Sequence, residues 1–161
     1  MIEMQLVGVR VELPTNQPIV LLREREGERF LPIFIGPVEA TAIAFALQGI
    51  VTPRPMTHDL LKNVLEELGV GIDRILVTEL RDTTFYATLE MSRDGQKYSI
   101  SSRPSDAIAL AVRGGFPIFA APDVLNEAGI LIREEEDEEE EIQRFREFID
   151  SVSPEDFGVE H

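Results

Sequence analysis

The opening 35 residues leave little room for a helix. Apolar side chains alternate with polar ones at Ile2, Met4, Leu6, Val9, Val11 and Leu13, and two more short apolar runs follow at 19–25 and 29–35. Alternation of this kind marks strands. The parity of the first run changes between Leu6 and Val9, which predicts one irregularity in that strand. Only Pro14-Thr15-Asn16-Gln17-Pro18 and Glu26-Gly27-Glu28 separate the runs. Neither is long enough for the crossover that a parallel pair needs, so the three strands form an antiparallel meander. Pro32 lacks a ladder donor and predicts a free edge or an irregularity in the third strand.

Two helices come next. Pro37 sits at a first helical position with Glu39 in the first turn, and the segment continues to about Leu47. It is apolar nearly all round, which predicts burial on several sides, within the fold or at a subunit interface. Thr57 reads as an N-cap for 58–68, an amphipathic stretch with Leu60, Leu61, Val64, Leu65 and Leu68 on one face and Gly69 as its stop. Strands follow at 70–80, 83–92 and 97–101, the last two joined by Asp94-Gly95. A helix opens at Arg103-Pro104-Ser105-Asp106 and ends at Gly114-Gly115. A short strand at 117–120 and a short helix from Ala121-Pro122-Asp123 to about Gly129 complete the pattern. Strand groups separated by helices give an α+β class: a mixed, mostly antiparallel sheet in a single domain over 1–132.

One internal echo stands out. Pro37-Val38-Glu39-Ala40-Thr41-Ala42-Ile43-Ala44 aligns without gaps to Pro104-Ser105-Asp106-Ala107-Ile108-Ala109-Leu110-Ala111. It has two readings, a shared grammar for starting helices and a duplicated strand–helix unit.

Charge divides the chain unevenly. Of the net −15, −10 belongs to residues 133–161, where positions 134–141 are all acidic. That segment is expected to be a solvated acidic linker at 134–141 followed by a short helix carrying Ile142, Phe145, Phe148, Ile149 and Val152. The body at 1–132 is only mildly acidic, so the total does not exclude nucleic acid. With no Cys and two His, His58 and His161, disulfide scaffolds, thiolate metal sites, Cys nucleophiles and multi-histidine zinc sites are excluded. No apolar run approaches the roughly 20 residues of a membrane span, and the N-terminus lacks a signal layout. The expectation is a cytoplasmic protein with no membrane partner.

Nucleotide-binding glycine motifs, nucleophile elbows and zincin helices are absent. Two polar clusters remain, Arg54-Pro55-Met56-Thr57-His58-Asp59 and Ser101-Ser102-Arg103-Pro104-Ser105-Asp106. Both place Arg, hydroxyl and carboxylate at a helix N-terminus, where free N–H groups favour an anion and Arg can grip phosphate oxygens. Capping by Thr57 and Ser105, with dipole complementation by Asp59 and Asp106, is the competing structural reading. His is the side-chain type that exchanges protons near neutral pH, and His58 is the one His in 1–132.

These phrases, in order with Leu31-Pro32-Ile33-Phe34-Ile35-Gly36 ahead of Glu39-Ala40, resemble the bifunctional nuclease domain family, with Ser102 to Ala111 the most specific stretch. The segment around 145–157 is similar to the C-terminal extension of bacterial members. The resemblance implies an α+β domain, a homodimer, and nuclease activity on DNA or RNA. Phosphodiester hydrolysis needs an activated water, charge neutralisation and help for the leaving oxygen. The expected catalytic residues are therefore His58, Asp59 and Asp106, with Arg54, Arg103 and Ser105 binding phosphate. A divalent ion, Mg²⁺ or Mn²⁺, would be held by Asp59, Asp106 and Glu39. The alternative is a non-enzymatic homodimeric regulatory module whose pocket takes an anion. Convergence of the candidate residues favours the enzyme; separate ion pairs remote from any pocket favour scaffolding.

Overall fold

The computed structural model describes residues 1–132 together with Gln143 and Arg144. The acidic run at 134–141 and the expected C-terminal helix lie outside the described residues, those two positions excepted.

The opening meander is β1 (Ile2–Glu12), β2 (Gln17–Glu24) and β3 (Arg29–Phe34), all antiparallel. In β1, Leu6 pairs with Leu22 but Gly8 pairs with Leu21, so Val7 is the extra residue of a β-bulge. The bulge shifts the face-to-residue parity by one, which is why the apolar positions change from even to odd numbers. The edge strand β8 (Ile130–Leu131) pairs only with Phe30 and Arg29, leaving Pro32 where the sheet edge is open. The sequence reading had no signal for β8, because two residues are too few for periodicity to register.

A second meander, β4 (Gly71–Arg81), β5 (Thr84–Arg93) and β6 (Gln96–Ser102), turns at Asp94-Gly95, both with positive φ as a two-residue hairpin requires. The two meanders meet through β7 (Ile118–Ala120), antiparallel to β1 and parallel to β4. The result is one eight-stranded sheet in the order β6-β5-β4-β7-β1-β2-β3-β8.

Helices α1 (Pro37–Leu47), α3 (Pro104–Gly114) and α4 (Pro122–Ala128) share one core with the sheet. Their Ala40, Ile43, Ile108, Leu110, Val124 and Leu125 pack with Val20, Leu22, Ile75 and Val77. The alternating Ala residues let α1 and α3 pack against each other. Each copy of the internal echo therefore opens a helix that follows a three-stranded meander, with Gly36 and Arg103 as the matching N-cap residues.

The body covers helix α1 on one side only: Ala40, Ala42 and Ile43 are buried, while Val38 is 77% exposed and Leu47 is also exposed, so burial on several sides within the fold itself is not what is found. Helix α2 (Thr57–Glu67) turns most of its apolar stripe outward, with Leu60, Leu61, Val64 and Leu68 exposed and His58 its one buried residue. It meets the body through its first turn and Leu65, so the stripe is not a core face. Gly69 does stop it, at φ +74°, a conformation that disfavours a side chain. Among the described residues, no helix is long and apolar enough to cross a membrane.

Candidate active site

Three helix N-termini come together. Pro37, Thr57 and Pro104 are the first residues of α1, α2 and α3, and each helix carries its acid at the third position: Glu39, Asp59 and Asp106. There the carboxylate faces the positive end of the helix dipole, and the main-chain N–H groups of the first turn lack helical partners. Thr57 and Ser105 are not the caps. Met56 and Arg103 occupy the N-cap positions, with Thr57 and Ser105 inside the first turn. On α2, Asp59 Oδ2 instead accepts the Met56 N–H at 3.0 Å.

Asp106 is the hub. Its Oδ1 lies 2.9 Å from His58 Nε2, and its Oδ2 accepts from Arg103 Nε at 2.9 Å. An ionised carboxylate only accepts, so the Nε2 atom carries the proton and Nδ1 is the basic nitrogen. Burial raises the Asp106 carboxyl, but the hydrogen bonds from Arg103 and His58 and their charges outweigh it, so it stays below the usual carboxylate range. Arg103 also donates through Nη2 to Glu39 Oε1 at 2.8 Å. The hydrogen bonds to Asp106 and Glu39 hold its guanidinium charged above the ordinary arginine value. The side chain of Arg103 is nonetheless 65% exposed, and its Nη1 is not used within this cluster.

Asp59 lies apart from this chain of bonds. Its Oδ1 accepts from Arg113 Nε at 2.8 Å. Burial opposes ionisation there too, and the Met56 N–H and Arg113 overcome it, holding the carboxyl low. Ser105 is buried at the second position of α3, and Arg54 is exposed in the loop before α2.

The structure thus brings together His58, Asp106, Arg103 and Glu39, and sets Asp59 against Arg113. Arg113 escaped the sequence reading. Its signal is its spacing: it stands two turns after Asp106 on the same face of a helix that is otherwise largely buried.

The donors do not suit a resident divalent ion. Both Asp106 oxygens and one Glu39 oxygen already serve Arg103 or His58, and Asp59 serves Arg113. Among the described residues, no group of three or more His, Asp and Glu side chains has a spacing that could hold a metal. The guanidinium of Arg103 takes the place between Glu39 and Asp106 that a shared cation would need. A cavity of about 470 Å³ is lined by Asp73, Arg74, Glu90, Met91, Lys97, Tyr98 and Ser99, none of them a candidate residue.

Comparison with known proteins matches residues 20–133 to the bifunctional nuclease domain. An uncharacterized protein of Mycobacterium tuberculosis is 47% identical over 162 residues, covering 96% of this chain and 97% of that one. Bifunctional nuclease 1 of Oryza sativa is 30% identical over 106 residues, covering 64% of this chain and 32% of its own length. Bifunctional nuclease 2 of Arabidopsis thaliana is 30% identical over 112 residues, with coverages of 66% and 34%. This chain therefore spans about a third of the plant relatives it matches. It belongs to the bifunctional nuclease domain family.

Proposed function

We propose that the protein is a nuclease that hydrolyses phosphodiester bonds of DNA or RNA at the His58–Asp106–Arg103 cluster. The observation that carries the reading is the 2.9 Å bond from His58 Nε2 to Asp106, beside a half-free arginine where three helices begin. Asp106 fixes the tautomer and orientation of His58, leaving Nδ1 to take a proton from the attacking water; as the water oxygen bonds to phosphorus, the ester P–O bond opposite it breaks and the departing oxygen takes a proton from solvent. Arg103 Nη1 and the exposed Arg54 supply cations for phosphate oxygens, and the N–H groups of Ser105 and Asp106 add helix-start donors. Glu39 holds Arg103 from the other side. Asp59 acts indirectly in this scheme, shaping the first turn that carries His58, while Ser105 offers its main-chain N–H and keeps its side chain buried.

The chemistry described runs through the chain's own residues. The expectation of Mg²⁺ or Mn²⁺ is read separately, by assaying with each ion and with chelator. Single- and double-stranded DNA and RNA should be cut by wild type, with His58→Gln and Asp106→Asn reduced by roughly 100-fold or more. Equal cleavage by all three proteins, prepared identically, would reject the assignment. So would no cleavage by wild type under any metal condition; an anion-binding regulatory module would then account for the cluster.

A homodimer is part of the proposal. A second copy would cover the exposed apolar residues of α1 and α2, among them Val38, Leu47, Leu60 and Val64.

A further inference from the structure

We propose that Arg113 is a positioning residue for His58, acting through Asp59; this rests on the reading of the His58–Asp106 pair given above.

Helix α2 has an unusual attachment. Its apolar stripe faces outward, so little hydrophobic contact fixes how it sits on the body. Beyond the packing of Leu65, what fixes it are two bonds from consecutive residues of its first turn, both to α3. His58 reaches Asp106 at the start of α3, and Asp59 reaches Arg113 near its end. Seven residues separate those anchors along one face of α3, about 10 Å at 1.5 Å per residue. One bond would define a pivot. Two spaced bonds define both the position and the rotation of the turn, and hence where the His58 ring stands.

Arg113 is built for that task. Its side chain is 7% exposed, and Nη1 donates back to the carbonyl of Ala109 at 3.1 Å, which ties the guanidinium to its own helix. Asp59 is doubly engaged in turn, accepting the Met56 N–H with one oxygen and Arg113 Nε with the other. A buried ion pair is a poor means of adding stability, since desolvation offsets the attraction. It is a good means of specifying one arrangement, because an unpaired guanidinium there would be costly. The charge on Arg113 is directed at the turn rather than at a substrate.

The test observes the His58 ring directly by NMR at one fixed pH, through the exchange rate of its Nε2–H proton, the one bonded to Asp106. The proteins are the full chain as wild type, Asp106→Asn, Arg113→Gln, Arg113→Lys and Asp59→Asn. Loss of the Asp106 carboxylate removes the acceptor of the Nε2–H bond, so Asp106→Asn should speed exchange of that proton with water. Arg113→Gln should speed it in the same direction, and Arg113→Lys should restore part of the change. In the cleavage assay, Arg113→Gln should lose up to about 100-fold in kcat with KM nearly unchanged.

A folded Arg113→Gln protein with the wild-type exchange rate at His58 Nε2–H would overturn the proposal. Should that variant fail to fold, Asp59→Asn weakens the same bond while its amide oxygen still accepts the Met56 N–H, and the same two outcomes apply. The exchange measurement needs no substrate. A wild type that cuts nothing, combined with faster Nε2–H exchange in Arg113→Gln, would sink the nuclease reading and leave the positioning role standing.

Discussion

Replacing Asp106 with Ala removes two charge-assisted hydrogen bonds at once, and their surroundings set the magnitude. The partner His58 is 11% exposed, so loss of that bond strands a largely buried ring donor and should cost roughly 1.5–3 kcal/mol. The other partner, Arg103, is mostly in water, and its bond adds no more than about 1 kcal/mol. A total near 2–3 kcal/mol corresponds to a fall in Tm of very roughly 10 °C for a domain of this size. The loss must also depend on pH. In the fold the Asp106 carboxyl sits below its ordinary range, with burial opposing and the Arg103 and His58 bonds prevailing. In the unfolded chain it returns to about 3.9. As pH falls, the unfolded chain therefore takes up the proton first. The stabilisation is complete above about pH 4 and is lost as pH passes down through the folded value. Urea unfolding of wild type and Asp106→Ala from pH 7 to pH 3 should show a gap that is full at pH 7 and shrinks below pH 4. A gap that stays constant over that range, or is missing at pH 7, would refute an ionised Asp106 bonded to His58.

Three other perturbations test separate parts of the structure. Arg103→Gln removes the cation between Glu39 and Asp106, and Mn²⁺ binding measured by water-proton relaxation should rise by roughly tenfold over wild type; equal relaxation would show that the guanidinium does not keep metal out. Val64→Asp on the exposed stripe of α2 should change stability by no more than about 0.5 kcal/mol while shifting sedimentation from dimer to monomer, and an unchanged sedimentation profile would count against that interface. Truncation after Ile132 removes 13 acids and 3 bases; binding of single-stranded DNA should then tighten at low salt, with the difference fading as ionic strength rises, and identical binding would make the acidic segment irrelevant to nucleic acid.

The sheet was readable wherever neighbouring strands are joined by short turns. The alternation in 2–13 located β1 and its change of parity anticipated the bulge at Val7. What eluded the pattern was long-range. The strand at Ile118–Ala120 is too short to declare its partners, and nothing local says that it lies between β1 and β4 or runs parallel to one of them. At α2 the pattern was silent about packing, because a stripe of Leu and Val records that a face is apolar and not what covers it. The candidate site divides in the same way. Acids at third helical positions and the Arg before Pro104 are local signals. The meeting of Arg103 with Glu39, 64 positions away, depends on α1 packing on α3. The internal echo places the two acids, Glu39 and Asp106, at matching positions, but matching positions in sequence do not say that they meet.

The placement of β7 has a consequence for the chain during synthesis. Both meanders are complete by Ser102, and each can form its ladders alone from residues near in sequence. The strand that joins them consists of Ile118–Ala120. A nascent chain can therefore hold two half-sheets whose central edges, β1 and β4, stay unpaired until the last strands leave the ribosome. Unpaired edges of that kind invite pairing with other chains. Only the arrival of three residues at the centre of the sheet closes that interval.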